Sequence, residues 1–99
     1  MEKIIVQCDP DLEDLIPGYL SNRDKDIIAL RECLSLGDYE KIRIIGHSMK
    51  GSGGGYGFDA ITELGDRIEI AALASNINEI DQAIRDLEVF ISRVEVVFS

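Results

Sequence analysis

The feature that most constrains this chain is an apolar seam near its end. Ile77, Ile80, Ile84, Leu87, Ile91, Val94 and Phe98 recur at three- and four-residue spacing, as in a heptad. Ala83, Phe90 and Val97 widen it to a face. A stripe that wide must be covered by other helices, so the pattern predicts a helix from Asn76 or Asn78 to Phe98 inside a bundle. The stripe reads as core, not as a cofactor box.

Three more helical stretches precede it. Leu20, Ile27, Leu30 and Leu34 keep helical spacing up to Gly37, with Arg23 interrupting; Gly is the usual residue just past a helix end. Asp38 is a candidate N-cap for the next helix, and Asp59, after Phe58, for the one carrying Ile61, Leu64, Ile68, Ala71 and Ala72. Upstream, Asp9 or Asp11 is placed to cap a short turn with Leu12, Leu15 and Ile16. Pro17 predicts a break or kink near Ile16–Gly18. Lys3–Gln7 is β-branched and too short to imply a sheet. Short loops at Gly37, Gly57 and Ser75–Asn76 favour antiparallel neighbours. The expected fold is all-α: an antiparallel up-down four-helix bundle over residues 10–98, a short N-terminal helix as its lid, and residues 1–9 extended. One domain accounts for all 99 residues.

Composition removes several functions. A net charge of −9 opposes nucleic-acid binding, which needs a basic face. No apolar run is long enough for a membrane span, and MEKIIVQCDP lacks a signal peptide's apolar core, so a cytoplasmic protein is expected. Cys8 and Cys33 stand 25 positions apart without a C-x-x-C pattern, which favours reduced, buried thiols over a disulfide or a metal site.

The only histidine, His47, lies on the second helix. At about 100° per residue, Ile42, Ile45, Met49 and Tyr56 share one side of that helix, with Ser52 and Gly53 flanking them. His47 falls opposite, with Glu40, Arg43, Lys50, Gly51 and Gly54. A helical Gly costs roughly 1 kcal/mol against Ala, so glycines on the histidine's face need a reason beyond ending the helix. They bare the backbone around the imidazole and suit close approach by a macromolecule. Lys50, one turn on, sets a cation where it can offset phosphoryl charge. A neutral imidazole nitrogen forms covalent intermediates, and the partner of the other nitrogen decides which one attacks. Glu69, at the edge of the third helix's apolar stripe, is the candidate partner.

Two nucleotide and hydrolase readings fail on spacing. Gly51–Gly57 does not fit G-x-G-x-x-G, and the order Lys50-Gly51-Ser52 is not that of a P-loop. Ser48 and Ser52 adjoin His47, but their helix gives no orienting acid or oxyanion hole.

His47-Ser48-Met49-Lys50-Gly51, then small residues, Gly57 and the run from Leu64 to Glu69, resembles the histidine-containing phosphotransfer (HPt) domain family. Its pattern is His-x-x-Lys-Gly, a small-residue stretch ending in Gly, and a Glu or Gln downstream. The resemblance covers about residues 10–98. It implies that His47 carries a phosphoryl group, received from a sensor or hybrid histidine kinase or exchanged with an aspartate of a response-regulator receiver domain. Lys50 and Glu69 would assist, and Gly51 and Gly54 would give access. The His47 helix offers no acidic metal cluster, so no cofactor is expected beyond Mg²⁺ in the partner's site, and no autonomous catalysis; a folded bundle uses its apolar seam internally, so a monomer is expected. Ile16 and Leu20 are expected to extend the docking surface. The competing expectation is a helical interaction module that binds a partner through its bare glycine face without covalent chemistry.

Overall fold

The computed structural model describes residues 2–99. Its elements run β1 (Ile4–Cys8), a 3-10 turn (Pro10–Leu12), α1 (Ile16–Leu36), α2 (Tyr39–Gly53), a 3-10 turn (Gly54–Tyr56), α3 (Asp59–Leu73), α4 (Ile77–Arg93) and β2 (Val94–Phe98). The chain is mostly helical, and its four helices pack into one compact body. The radius of gyration is 13.3 Å, the size expected of about 100 residues in a single globule.

The helix boundaries follow local chemistry. Gly37 ends α1 in the left-handed conformation, with φ 70°. The Asp38 carboxylate accepts from the Lys41 N–H at 3.2 Å and caps α2. The Asn76 side chain does the same for the Glu79 N–H at the start of α4. Asp59 is not itself a cap: it is the first residue of α3, and Phe58 precedes it without a side-chain cap bond. Gly57, with φ 94°, supplies the turn into Phe58 that few other residues adopt.

The core is one cluster. Leu30, Ile42, Met49, Phe58, Ile61, Ile68, Ile80, Ile84 and Leu87 are its most deeply buried large side chains. Phe58 fills the end nearest the glycine run, with Tyr19 stacked on it at 5.7 Å and Phe90 edge-on at 6.4 Å. Tyr56, half-buried, stacks on the other face of this group, 4.2 Å from Tyr19. The seam of α4 is core at Ile80, Ala83, Ile84, Leu87 and Phe90. Ile77, expected in that seam, is exposed in the first turn of the helix.

The last five residues of the expected helix form a strand instead. α4 stops at Arg93, and Val94–Phe98 pairs in parallel with Ile4–Cys8, Val6 opposite Val96. Val94, Val96 and Phe98 pack against the core, as do Ile4 and Val6. Val97, expected on the bundle face, is exposed on the other side of the sheet. The error has a physical source. Val94 and Phe98 lie four apart, a spacing that satisfies both a helix and a strand of period two, while the β-branched run VEVVF favours the strand. The N-terminal segment was expected to be extended but unpaired; in the structure it supplies the other strand.

The segment before α1 also differs in detail. The expected short helix is one 3-10 turn capped by Asp9, whose carboxylate accepts from the Asp11 N–H at 2.9 Å. The expected break falls between Leu12 and Ile16. Pro17 stands at the start of α1 and does not kink it. It sits in the first turn, where its missing N–H has no intrahelical partner to lose. Ile16 is buried, only 2% exposed, and so belongs to the core; it cannot extend a docking surface.

Candidate functional site

α2 and α3 make the most extensive helix pair, and glycines bring them together. A Cβ on Gly46 would stand 2.8 Å from the Glu69 amide nitrogen and 2.9 Å from the Gly65 carbonyl oxygen. One on Gly65 would stand 2.5 Å from the Lys50 nitrogen and 2.6 Å from the Gly46 carbonyl oxygen. Neither helix tolerates a side chain at the other's crossing point. A third close approach lies nearer the glycine run, where a Cβ on Gly53 would stand 2.6 Å from the Thr62 nitrogen. Thr62 there joins the two helices with its hydroxyl, which accepts from the Gly54 N–H at 2.8 Å and donates to the Lys50 carbonyl at 3.2 Å.

This approach puts His47 beside Glu69. The imidazole Nδ1 lies 2.8 Å from Glu69 Oε2. A carboxylate oxygen accepts, so Nδ1 carries the proton and Nε2 is the ring nitrogen left with a lone pair. The two side chains differ in setting: that of His47 is 70% exposed and that of Glu69 only 14%. A largely buried carboxylate thus orients a ring that solvent reaches freely. A neutral ring held in this way can act as a nucleophile through Nε2.

Lys50 completes the group, though not as a free cation. Its ammonium pairs with Asp66 Oδ1 at 2.9 Å and lies 3.6 Å from Glu69 Oε1. The Asp66 hydrogen bond and charge, with a further contribution from Glu69, hold the ammonium above its ordinary titration range. Arg43, one turn before His47, is engaged by Glu40 at 2.6 Å. The cation nearest the imidazole's carboxylate is therefore Lys50.

Of the residues singled out from sequence, His47, Lys50 and Glu69 come together. Gly51 is exposed near the end of α2, and a Cβ there would meet nothing within 4 Å; Gly54, expected on the same face of the helix, is exposed too but opens the 3-10 turn beyond α2, where a Cβ would stand 3.6 Å from the Thr62 hydroxyl of α3. Sequence reasoning missed Asp66, Gly46 and Gly65. Asp66 had a signal, since it precedes Glu69 by three residues and so shares its face of α3. The two glycines had another: a Gly inside an otherwise regular helix is costly and often marks a close backbone approach.

The remaining features lie apart from this group. The Cys8 and Cys33 thiols are buried and unpaired with each other, and burial raises both above their usual range. A groove of about 500 Å³ is lined by Asp24, Ile27, Ile28, Glu88, Ile91 and Ser92 on α1 and α4. It includes none of the residues around His47. Among the described residues, no group of three or more His, Cys, Asp or Glu side chains is placed to hold a metal ion, and no helix is long and apolar enough to cross a membrane.

Comparisons with protein-family models, with curated proteins and with solved structures return no match, so the site stands on its own geometry.

Proposed function

We propose that the protein is a phosphoryl carrier of the HPt type, with His47 as the acceptor. The observation that carries this reading is the 2.8 Å contact between His47 Nδ1 and the largely buried Glu69, which leaves Nε2 on an exposed ring beside Lys50. The lone pair of Nε2 attacks phosphorus in a receiver's phosphoaspartate. The N–P bond forms as the P–O bond breaks, and the aspartate carboxylate leaves with that electron pair. The ring then bears positive charge, which the Glu69 carboxylate stabilises through Nδ1–H, while Lys50 offsets the phosphoryl oxygens. Transfer to a receiver aspartate is the reverse of this step, and charging by a sensor or hybrid kinase replaces the aspartate with a nucleotide leaving group. Mg²⁺ and most transition-state stabilisation come from the partner's pocket. The carrier has no kinase or phosphatase activity of its own and works as a cytoplasmic monomer.

In this reading the helices form an antiparallel up-down bundle, with the segment around Pro10–Leu12 as a lid. The order of contacts along α2 and α3 supports the antiparallel sense, since Gly46 meets Glu69 while Gly53 meets Thr62. The exposed backbone at Gly51 and Gly54 gives a receiver room to approach.

The test uses a small phosphoryl donor such as phosphoramidate, followed by a panel of receiver domains. Acid-labile label at His47 that passes to a receiver is expected. His47→Gln should abolish labelling and keep helicity. A folded wild-type protein that takes no label would overturn the carrier and favour the second reading, a module that binds a partner through its glycine face alone.

A further inference from the structure

We propose that Asp66 is a positioning residue that tethers the Lys50 ammonium and thereby limits how strongly Lys50 engages a phosphoryl group on His47. The consequence for transfer rests on the carrier reading; the tether itself does not.

The argument starts from register. His47 and Lys50 are three residues apart on α2, and Asp66 and Glu69 are three apart on α3. The Gly46–Gly65 approach sets these pairs face to face, so His47 meets Glu69 at 2.8 Å and Lys50 meets Asp66 at 2.9 Å. Lys50 is also 3.6 Å from Glu69, the longer of its two contacts. The ammonium thus rests mainly on Asp66, one turn of α3 away from the carboxylate that holds the imidazole.

A phosphoryl group on Nε2 adds negative charge at an exposed position. Lys50 is the cation on hand to offset it, but to do so it must loosen its contact with Asp66. Asp66 and the phosphoryl oxygens therefore compete for one ammonium. An exposed ion pair of this kind is weak enough to exchange and strong enough to bias the outcome. The tether keeps the phosphorylated state less stable than Lys50 alone would make it, which suits a carrier that must release its group.

The experiment has two arms on the full chain. In the first, amine acylation read by mass spectrometry compares Lys50 with Lys25 and Lys41 as internal references. Asp66→Asn should raise the relative reactivity of Lys50 about two- to fivefold, the range that an exposed ion pair supports, and Asp66→Glu should restore it. Unchanged Lys50 reactivity in a folded Asp66→Asn protein overturns the tether, whatever the phosphorylation result. In the second arm, phosphoramidate labels wild type, Asp66→Asn, Lys50→Ala and the double variant. Asp66→Asn should speed labelling and slow loss of label by a similar factor, and the effect should vanish in the Lys50→Ala background. An Asp66→Asn effect that persists without Lys50 overturns the claim that Asp66 acts through it. If no variant labels at His47, the carrier reading fails, and the amine arm still decides the tether.

Discussion

Gly46 and Gly65 face each other across α2 and α3 so closely that a Cβ on Gly65 would stand 2.6 Å from the Gly46 carbonyl oxygen. This contact sets the spacing on which the His47–Glu69 pair depends. Gly46→Ala or Gly65→Ala must push backbone against backbone, so each should destabilise the fold by at least about 1–3 kcal/mol, the usual range for overpacking. Gly51→Ala meets open space and removes a helix-weakening glycine, so it should be neutral or stabilising by up to about 1 kcal/mol. Urea denaturation of the three variants checks the contrast. Equal effects at Gly46 and Gly51 would remove the close approach from the account.

The Glu69 carboxylate fixes the imidazole by accepting from Nδ1–H. Glu69→Gln keeps an acceptor oxygen and should retain phosphoryl transfer within a few-fold. Glu69→Ala frees the ring and its tautomer, and the loss of a charge-assisted hydrogen bond, about 1.5–3 kcal/mol, corresponds to a rate lower by roughly ten- to a hundredfold. Single-turnover transfer from phosphorylated protein to a receiver measures it. Wild-type rates in Glu69→Ala would leave Glu69 a structural role only.

Lys50→Ala should slow transfer without unfolding the domain, because the side chain is half-exposed, as is Asp66, its nearer partner. Circular dichroism and the same single-turnover assay separate the two effects. An unchanged rate would exclude Lys50 from the chemistry, and with it the consequence proposed for Asp66.

The helical portion of this architecture was legible because its signals are local. Asp38 and Asn76 cap the helices they precede, Gly37 ends α1, and Ile80, Ile84 and Leu87 fall on the buried stripe. The site was legible in part for the same reason: His47 opposite Ile42 and Met49 had to point outward. Asp66 and the Gly46–Gly65 contact were hidden because they depend on how α3 is placed against α2, which no single helix encodes. The parallel β1–β2 pair was hidden more deeply. Its strands lie about ninety residues apart in sequence, and pairing of that range leaves only a short alternating run at each end.

Acid should weaken the fold through its arginine-paired carboxylates. The Asp81 and Asp86 carboxyls are held below the usual 3.8, first by hydrogen bonds from Arg31 and Arg67 respectively. Stabilisation of this sign is complete above the unfolded value and is lost as the pH falls through the lower folded value. Asp26 runs the other way, since burial raises its carboxyl despite the opposing effect of Arg23. Its charged form is disfavoured by folding, so protonation relieves a penalty as the pH falls through its raised value. The urea midpoint should therefore hold or rise slightly on mild acidification and fall below about pH 4. Asp26→Asn should remove the first feature. Arg31→Met should reduce the second, by removing the cation that Asp81 and Glu88 share.

The two strands should behave as a unit that detaches without melting the helices. Val6 and Val96 pair in register and are half-buried against the core, whereas Val97 faces outward. Side chains alternate across a strand, so neighbouring positions on β2 carry opposite consequences. Val96→Asp places a carboxylate against the core and forfeits apolar burial of about 1 kcal/mol or more, while Val97→Asp places it in water. Hydrogen exchange should show protection lost over 4–8 and 94–98 in Val96→Asp and retained in Val97→Asp, with α2 and α3 protected in both. Phosphorylation at His47 should survive either change, because the sheet contributes no residue to the group around Glu69. Loss of exchange protection in α2 and α3 in Val96→Asp would mean instead that the strands and the helices fold as one cooperative unit.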